Sequence, residues 1–208
     1  MTLVKICGIT NLDDARAAVE AGADVLGFNF YQPSPRYISP EEARTIIDRL
    51  SSEVLTVGVF VNEPSPKDVL RIAKEAGVKG LQLHGDESTA YCEALAEHYV
   101  IKVFSVATGF IDEQVQRYRV PAVMLDAGDR KVRGGTGRVV DWSVAASFRE
   151  SVPRLFLAGG LSPQNVSEAI ETVKPYAVDA CSLLENSPRQ KNHELIRAFV
   201  THAHRVKP

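Results

Sequence analysis

The chain has 208 residues, 45% hydrophobic and 24% charged, ordinary values for a globular protein that exclude a disordered, collagen-like or coiled-coil chain. At about 100–200 residues per domain, this length predicts one domain covering residues 1–208. Lys plus Arg total 24 against 26 Asp plus Glu, a formal charge of −2, so no basic field draws nucleic acid or an anionic membrane.

Short apolar runs alternate with amphipathic stretches from end to end. The first strand candidate is LVKIC (3–7), followed by a helix that Asn11 caps and Gly22 ends. VLGFN (25–29) leads to a helix opened by Ser39-Pro40, and VLTVGVF (54–60) to one opened by Ser65-Pro66. GLQLH (80–84), VIKVFSV (100–106), AVMLD (122–126), RLFLA (154–158) and AVDACS (177–182) continue the series. The helices between and after them are ESTAYCEALAEH, DEQVQRY, DWSVAASF, SPQNVSEAIETV and NHELIRAFVTHA. Runs rich in Val, Ile, Leu and Phe suit parallel strands buried on both faces. Strict alternation requires crossover connections and a parallel sheet. Eight units favour closure into a compact (β/α)8 barrel, with a doubly wound open sheet as the competitor.

Cys7, Cys92 and Cys181 form no C-x-x-C pair, which speaks for reduced thiols rather than a disulfide framework or a zinc site. MTLVKICGIT has no signal-peptide pattern, and no apolar run approaches the roughly 20 residues of a membrane span. The expectation is a cytoplasmic protein without a membrane partner.

Barrels of this class carry their chemistry at the C-terminal ends of the strands. Those ends here hold Cys7-Gly8, Asn29, His84-Gly85, Asp126, Gly159-Gly160, Asp179 and Ser182. Turn chemistry accounts for any one of them alone. The period of two puts Lys5 with Cys7, Met124 with Asp126, and Asp179 with Cys181 on single faces. Opposite them lie branched apolar residues that suit the helix layer, so Lys5, Cys7, Asp126 and Asp179 should converge inside the mouth. For Lys5 a structural ion pair is the preferred reading. LAGGLSPQNV, after strand seven, offers two glycines and a helix start at Ser162-Pro163, a combination that suits phosphate. RKVRGGTGRVVDW lacks the Walker ending and reads as a lid over an anionic substrate or as an ordinary loop. Trp142, at its end, should pack the sixth helix on the barrel. Arg36, in SPRYI, is either a solvated arginine or a fork for a carboxylate.

Taken together, KICGIT, SPRYIS, LQLHGDE, MLDAG with GGTGRVVDW, and LAGGLSPQNV resemble the phosphoribosylanthranilate isomerases of tryptophan biosynthesis, from Lys5 to about Asn192. The resemblance implies a (β/α)8 barrel and an Amadori rearrangement of N-(5-phosphoribosyl)anthranilate, with no metal or organic cofactor. Its partner would be a small phosphosugar substrate, and the protein a monomer or homodimer. By the same resemblance Asp126 is the acid that opens the furanose ring, and Cys7 the base that removes the proton from C2′. A base at Cys7 must be thiolate, so the site should depress its pKa. Arg36 matches the residue that meets the anthranilate carboxylate, and Gly159 and Gly160 match the phosphate grip. His84, Asp179 and Ser182 match positions near the substrate. At strand eight the family usually reads V-D-V-S-S-G-V-E and then P-G-x-K-D. Here Leu183, Arg189 and Asn192 replace Gly, Gly and Asp, and Leu183 should crowd the phosphate. An indole-glycerol-phosphate synthase does not fit, for want of its strand-end Lys and Glu residues. The alternative from another class is a catalytically impaired phosphate-binding barrel that only binds.

Overall fold

A computed structural model describes residues 1–105, 112–126 and 142–206. Eight strands run parallel: β1 (Leu3–Cys7), β2 (Val25–Asn29), β3 (Leu55–Phe60), β4 (Gly80–Leu83), β5 (Tyr99–Ser105), β6 (Ala122–Asp126), β7 (Leu155–Leu157) and β8 (Ala177–Ala180). Each pairs with the next, and β8 pairs back with β1, so the sheet closes into a barrel rather than staying open.

The connecting helices are α1 (Leu12–Glu20), α2 (Pro40–Ile47), α3 (Pro66–Ala76), α4 (Thr89–Glu93), α5 (Asp112–Gln116), α6 (Trp142–Phe148), α7 (Val166–Val173) and α8 (His193–Arg205). Their starts follow the expected caps. The Asn11 side chain accepts from the Asp14 N–H, Ser39 closes a capping box with Glu42, and Ser65 accepts from Asp68. Gly77 ends α3 at φ 77°, a conformation glycine adopts without a Cβ clash. Trp142 opens α6 and is partly buried against the core, as expected. The rest of the glycine-rich segment read as a lid lies outside the described residues.

Helix α4 stops at Glu93, well short of the ESTAYCEALAEH stretch, and two further regions depart from the sequence reading. Helix α7 begins at Val166 rather than Ser162, because Asn165 ties residues 160–165 into a turn. Its Oδ1 accepts from the Ser162 N–H, and its Nδ2 donates to the Gly160 carbonyl. After β8, a single 3-10 turn (Ser182–Leu184) leads to an unforeseen antiparallel hairpin of β9 (Glu185–Ser187) and β10 (Gln190–Lys191).

The two faces of the strands build two cores. Outward residues such as Val4, Ile6, Leu26, Phe28, Val123 and Leu125 pack under the helices. Inward residues Val25, Val57, Ile101, Val103, Met124, Phe156 and Ala177 fill the barrel floor. Lys5, Cys7, Asp126 and Asp179 share the parity of this inner set, above that apolar plug. The alternation that buries the sheet therefore also raises the polar groups toward the mouth.

Candidate active site

Lys5 is wholly buried, at 0% exposure, and its Nζ donates to Asp179 Oδ1 at 2.7 Å. The register sets Lys5 opposite Asp179 on neighbouring strands, so the pair is fixed by backbone geometry. Burial alone would pull the Lys5 pKa down. The Asp179 carboxylate, helped by the Cys7 sulfur, outweighs it and holds the ammonium charged. Gly27, on β2, makes room for both Lys5 and Cys7. A Cβ there would lie 2.7 Å from Cys7 Sγ and 3.0 Å from Lys5 Nζ. A glycine inside a strand marks such a close approach, and this was the signal available in VLGFN.

Cys7 ends β1 and is 8% exposed. Its thiol lies beside that of Cys181, just past the end of β8, and both are free thiols. The expected depression of the Cys7 pKa is not what the site provides. The adjacent Cys181 thiol and burial push Cys7 up, while Lys5 counteracts them. The lowered thiol is Cys181, at about 6, held down by the adjacent Cys7 thiol and by Lys191 and Arg36 nearby. Sequence reasoning put Cys181 on the inward face but gave it no role.

Arg36 grips Glu185 through two nitrogens, Nε at 2.9 Å from Oε1 and Nη2 at 2.7 Å from Oε2. This fork–fork pair fixes the plane of the guanidinium and takes no contribution from Nη1. Lys191 Nζ reaches the same carboxylate at 2.8 Å and the Cys181 carbonyl at 3.1 Å. The hairpin thus delivers Glu185 and Lys191 to a residue some 150 positions earlier, a meeting the sequence does not announce.

Asp126 ends β6, 7% exposed, and His84 lies beside it with Nε2 3.4 Å from Asp126 Oδ2. The other ring nitrogen, Nδ1, stands 3.4 Å from Gln82 Nε2. With that amide donating, Nδ1 is an acceptor and Nε2 carries the proton toward Asp126. Gly159 and Gly160 follow β7 at φ 89° and 67°, and Ser182 opens the turn after β8. Leu183 is 40% exposed, and Arg189 occupies its glycine position at φ 74°. Asn192 caps α8, accepting from the Glu194 and Leu195 N–H groups as an aspartate would. Among the described residues, no group of three or more His, Cys, Asp or Glu side chains is placed to hold a metal ion. No helix there is long and apolar enough to cross a membrane.

The chain matches the family model described as N-(5'phosphoribosyl)anthranilate (PRA) isomerase over residues 4–202. It is 50% identical over 210 residues to the N-(5'-phosphoribosyl)anthranilate isomerase of Thermotoga neapolitana, covering 98% of each chain. The Geobacter sulfurreducens protein of the same name is 48% identical over 203 residues, again with 98% of each covered. The crystal structure of phosphoribosyl anthranilate isomerase from Thermotoga maritima superposes with TM-score 0.90 at 41% identity, over 99% of this chain and 100% of that one. A phosphoribosyl anthranilate isomerase in complex with reduced 1-(o-carboxyphenylamino)-1-deoxyribulose 5-phosphate superposes at 0.86, with 41% identity over 99% of this chain and 100% of that chain. A matched model spanning nearly every residue, and relatives of the same name at half identity, place the chain in the phosphoribosylanthranilate isomerase family, and its reaction is an aldose–ketose (Amadori) isomerisation.

Proposed function

We propose that Asp126 is the acid and Cys7 the base of this rearrangement, within a single catalytic domain spanning residues 1–208. The observation that carries the reading is an inward thiol and an inward carboxyl, 8% and 7% exposed, at strand ends on one barrel mouth. N-(5-phosphoribosyl)anthranilate enters as a closed furanose. Asp126 gives its proton to the ring oxygen as the anilino nitrogen pushes its lone pair toward C1′, and the ring opens to a Schiff base. Cys7 then takes the proton from C2′, and that bond's electron pair neutralises the iminium as an enolamine. Tautomerisation yields 1-(2-carboxyphenylamino)-1-deoxyribulose 5-phosphate. His84 donates to the Asp126 carboxylate once the proton has left, steadying the acid between turnovers.

Arg36 meets the anthranilate carboxylate through Nη1, while Glu185 holds the rest of the guanidinium in place. The phosphate is held by backbone N–H groups at Gly159, Gly160 and Ser182, since both glycines sit at positive φ with no Cβ between backbone and anion. Asp179 anchors Lys5 and so shapes the floor under Cys7. The family and its reaction leave the binding-only alternative without support. Three free thiols and a soluble phosphosugar substrate point to the cytoplasm, and the protein works as a monomer or homodimer.

Cys7→Ser tests the base. The hydroxyl keeps the shape but is too weakly acidic to supply an anion near neutral pH, so turnover should vanish with KM nearly unchanged. Activity within about tenfold of the parent would remove Cys7 from that role, a tenfold loss being only about 1.4 kcal/mol of barrier.

A further inference from the structure

Cys7 and Cys181 stand at the ends of neighbouring strands, one step beyond the paired residues Ile6 and Ala180. Both side chains face inward, so the two sulfurs lie side by side at the mouth. The charges around them are unequal. Lys5 from β1, Arg36 after β2 and Lys191 from β10 face the pair, with Lys191 Nζ 3.8 Å from Cys181 Sγ. Against these cations stand two carboxylates, Asp179 on β8 and Glu185 on β9. Among the described residues one positive charge is left unmatched, and a single thiolate matches it. β2 (VLGFN) and β7 (LFL) bring no ionisable side chain, and Asp126 and His84 form their own pair on the other side of the mouth.

We propose that Cys181 is a positioning residue for the base: the two sulfurs share one proton, and Cys181 receives the proton of Cys7 as Cys7 takes the proton of C2′. This deepens the assignment of Cys7 as base and rests on it. The resting pair is one thiolate and one thiol. When the C2′–H bond breaks, its proton lands on Cys7 Sγ and its electrons go to the iminium. The proton formerly on Cys7 passes to the Cys181 thiolate. The pair ends as two thiols, one proton richer, and returns that proton to solvent or product. A buried thiol that would be a poor base alone thereby acts through a more acidic neighbour, a handover for which a hydroxyl at position 7 is far too weak an acid.

The test is the pH profile of kcat/KM for the parent, Cys181→Ser and Cys181→Ala, read beside the ultraviolet absorbance of thiolate. In the parent, activity and absorbance should rise together through about pH 6, the lowered value of Cys181. Removing Cys181 leaves a lone Cys7 whose proton departs later. The acidic limb and the absorbance step should both move up by about one unit or more, a loss of at least about fivefold at pH 6, nearing tenfold below it, that recovers above the new limb. Serine can still donate a hydrogen bond to a Cys7 thiolate, so its limb should fall between the parent and the alanine variant. Cys181→Ser is nearly isosteric and reads the profile should Cys181→Ala fail to fold. Cys181 variants with the parent's limb and the parent's absorbance step would overturn the shared proton. Retained activity in Cys7→Ser would instead sink the base assignment itself, so the two failures are distinct.

Discussion

Lys5 and Asp179 give the sharpest test of how this barrel tolerates charge in its interior. Lys5 is completely buried and its ammonium has a carboxylate at 2.7 Å. Truncating one partner of such a pair leaves an uncompensated charge and costs about 3–5 kcal/mol, whereas replacing both with apolar groups of like size is often nearly neutral. For Asp179→Leu the upper limit can be worked separately. The stranded ammonium can shed its proton, and doing so at pH 7 from an ordinary lysine pKa costs about 4.6 kcal/mol. The Cys7 sulfur still lies beside it, so the expected loss is about 3–4 kcal/mol. For 208 residues, unfolding entropy is about 440 cal/mol/K, and that loss lowers Tm by about 7–9 °C.

The assay is urea unfolding of Lys5→Met, Asp179→Leu and the double variant, with Tm alongside. Each single variant should be unstable by about 3–4 kcal/mol, and the double variant by less than either, giving a coupling of at least about 3 kcal/mol. The sign of the pH dependence adds a second check. In Asp179→Leu burial is the largest influence on Lys5 and lowers its pKa, so the native state binds fewer protons than the unfolded one. Stability then rises with pH from the depressed native pKa toward about 10, by up to about 1.4 kcal/mol per unit, and the deficit against the parent shrinks. Single losses under about 1 kcal/mol, or a double variant that sums them, would refute the reasoning.

Asp126→Asn keeps the size of the acid but has no titratable proton, so kcat should fall by at least about a hundredfold with the fold intact; a variant that loses stability but keeps its turnover would make Asp126 structural. Leu183→Gly should lower KM at constant kcat, because the phosphate is remote from C2′ and its grip is felt alike in ground and transition states. Unchanged KM and unchanged inhibition by inorganic phosphate would mean that Leu183 points away.

Much of this was legible because a barrel strand writes its two faces in alternate letters. Val4 and Ile6 against Lys5 and Cys7 give the inside and outside of β1 before any coordinates, and the same rule places Asp126 and Asp179. Helix starts were legible because Asn11, Ser39 and Ser65 cap by local hydrogen bonds within three residues. What was not legible depends on distance along the chain or on very short elements. β9 and β10 have three residues and two, too few for any period to show. The Arg36–Glu185 fork joins residues far apart in sequence, and no local period ties one to the other. The pKa order of Cys7 and Cys181 depends on which sulfur faces Lys191 and Arg36. Alternation says that both thiols point inward, but not which cation each one meets.

The departures at the end of the chain gain a physical sense from the hairpin. Glu185 and Lys191 must stand at fixed points, since one orients Arg36 and the other approaches Cys181. The turn between them passes through Arg189 at φ 74°, a conformation that costs a residue with a Cβ about 1–2 kcal/mol relative to glycine. Arg189 offsets part of that cost by contacts glycine would make only in part. Its guanidinium donates to the Tyr37 carbonyl, and its own carbonyl accepts from Thr10 Oγ1 at 3.0 Å. The first contact fastens the hairpin to the segment after Arg36, the second to the loop after Cys7. Asn192 then caps α8 immediately beyond Lys191, so the hairpin is tied at its turn and at its exit. Side chains that look like losses against the family pattern therefore brace the hairpin whose two charged residues set the electrostatics of Arg36 and the thiol pair.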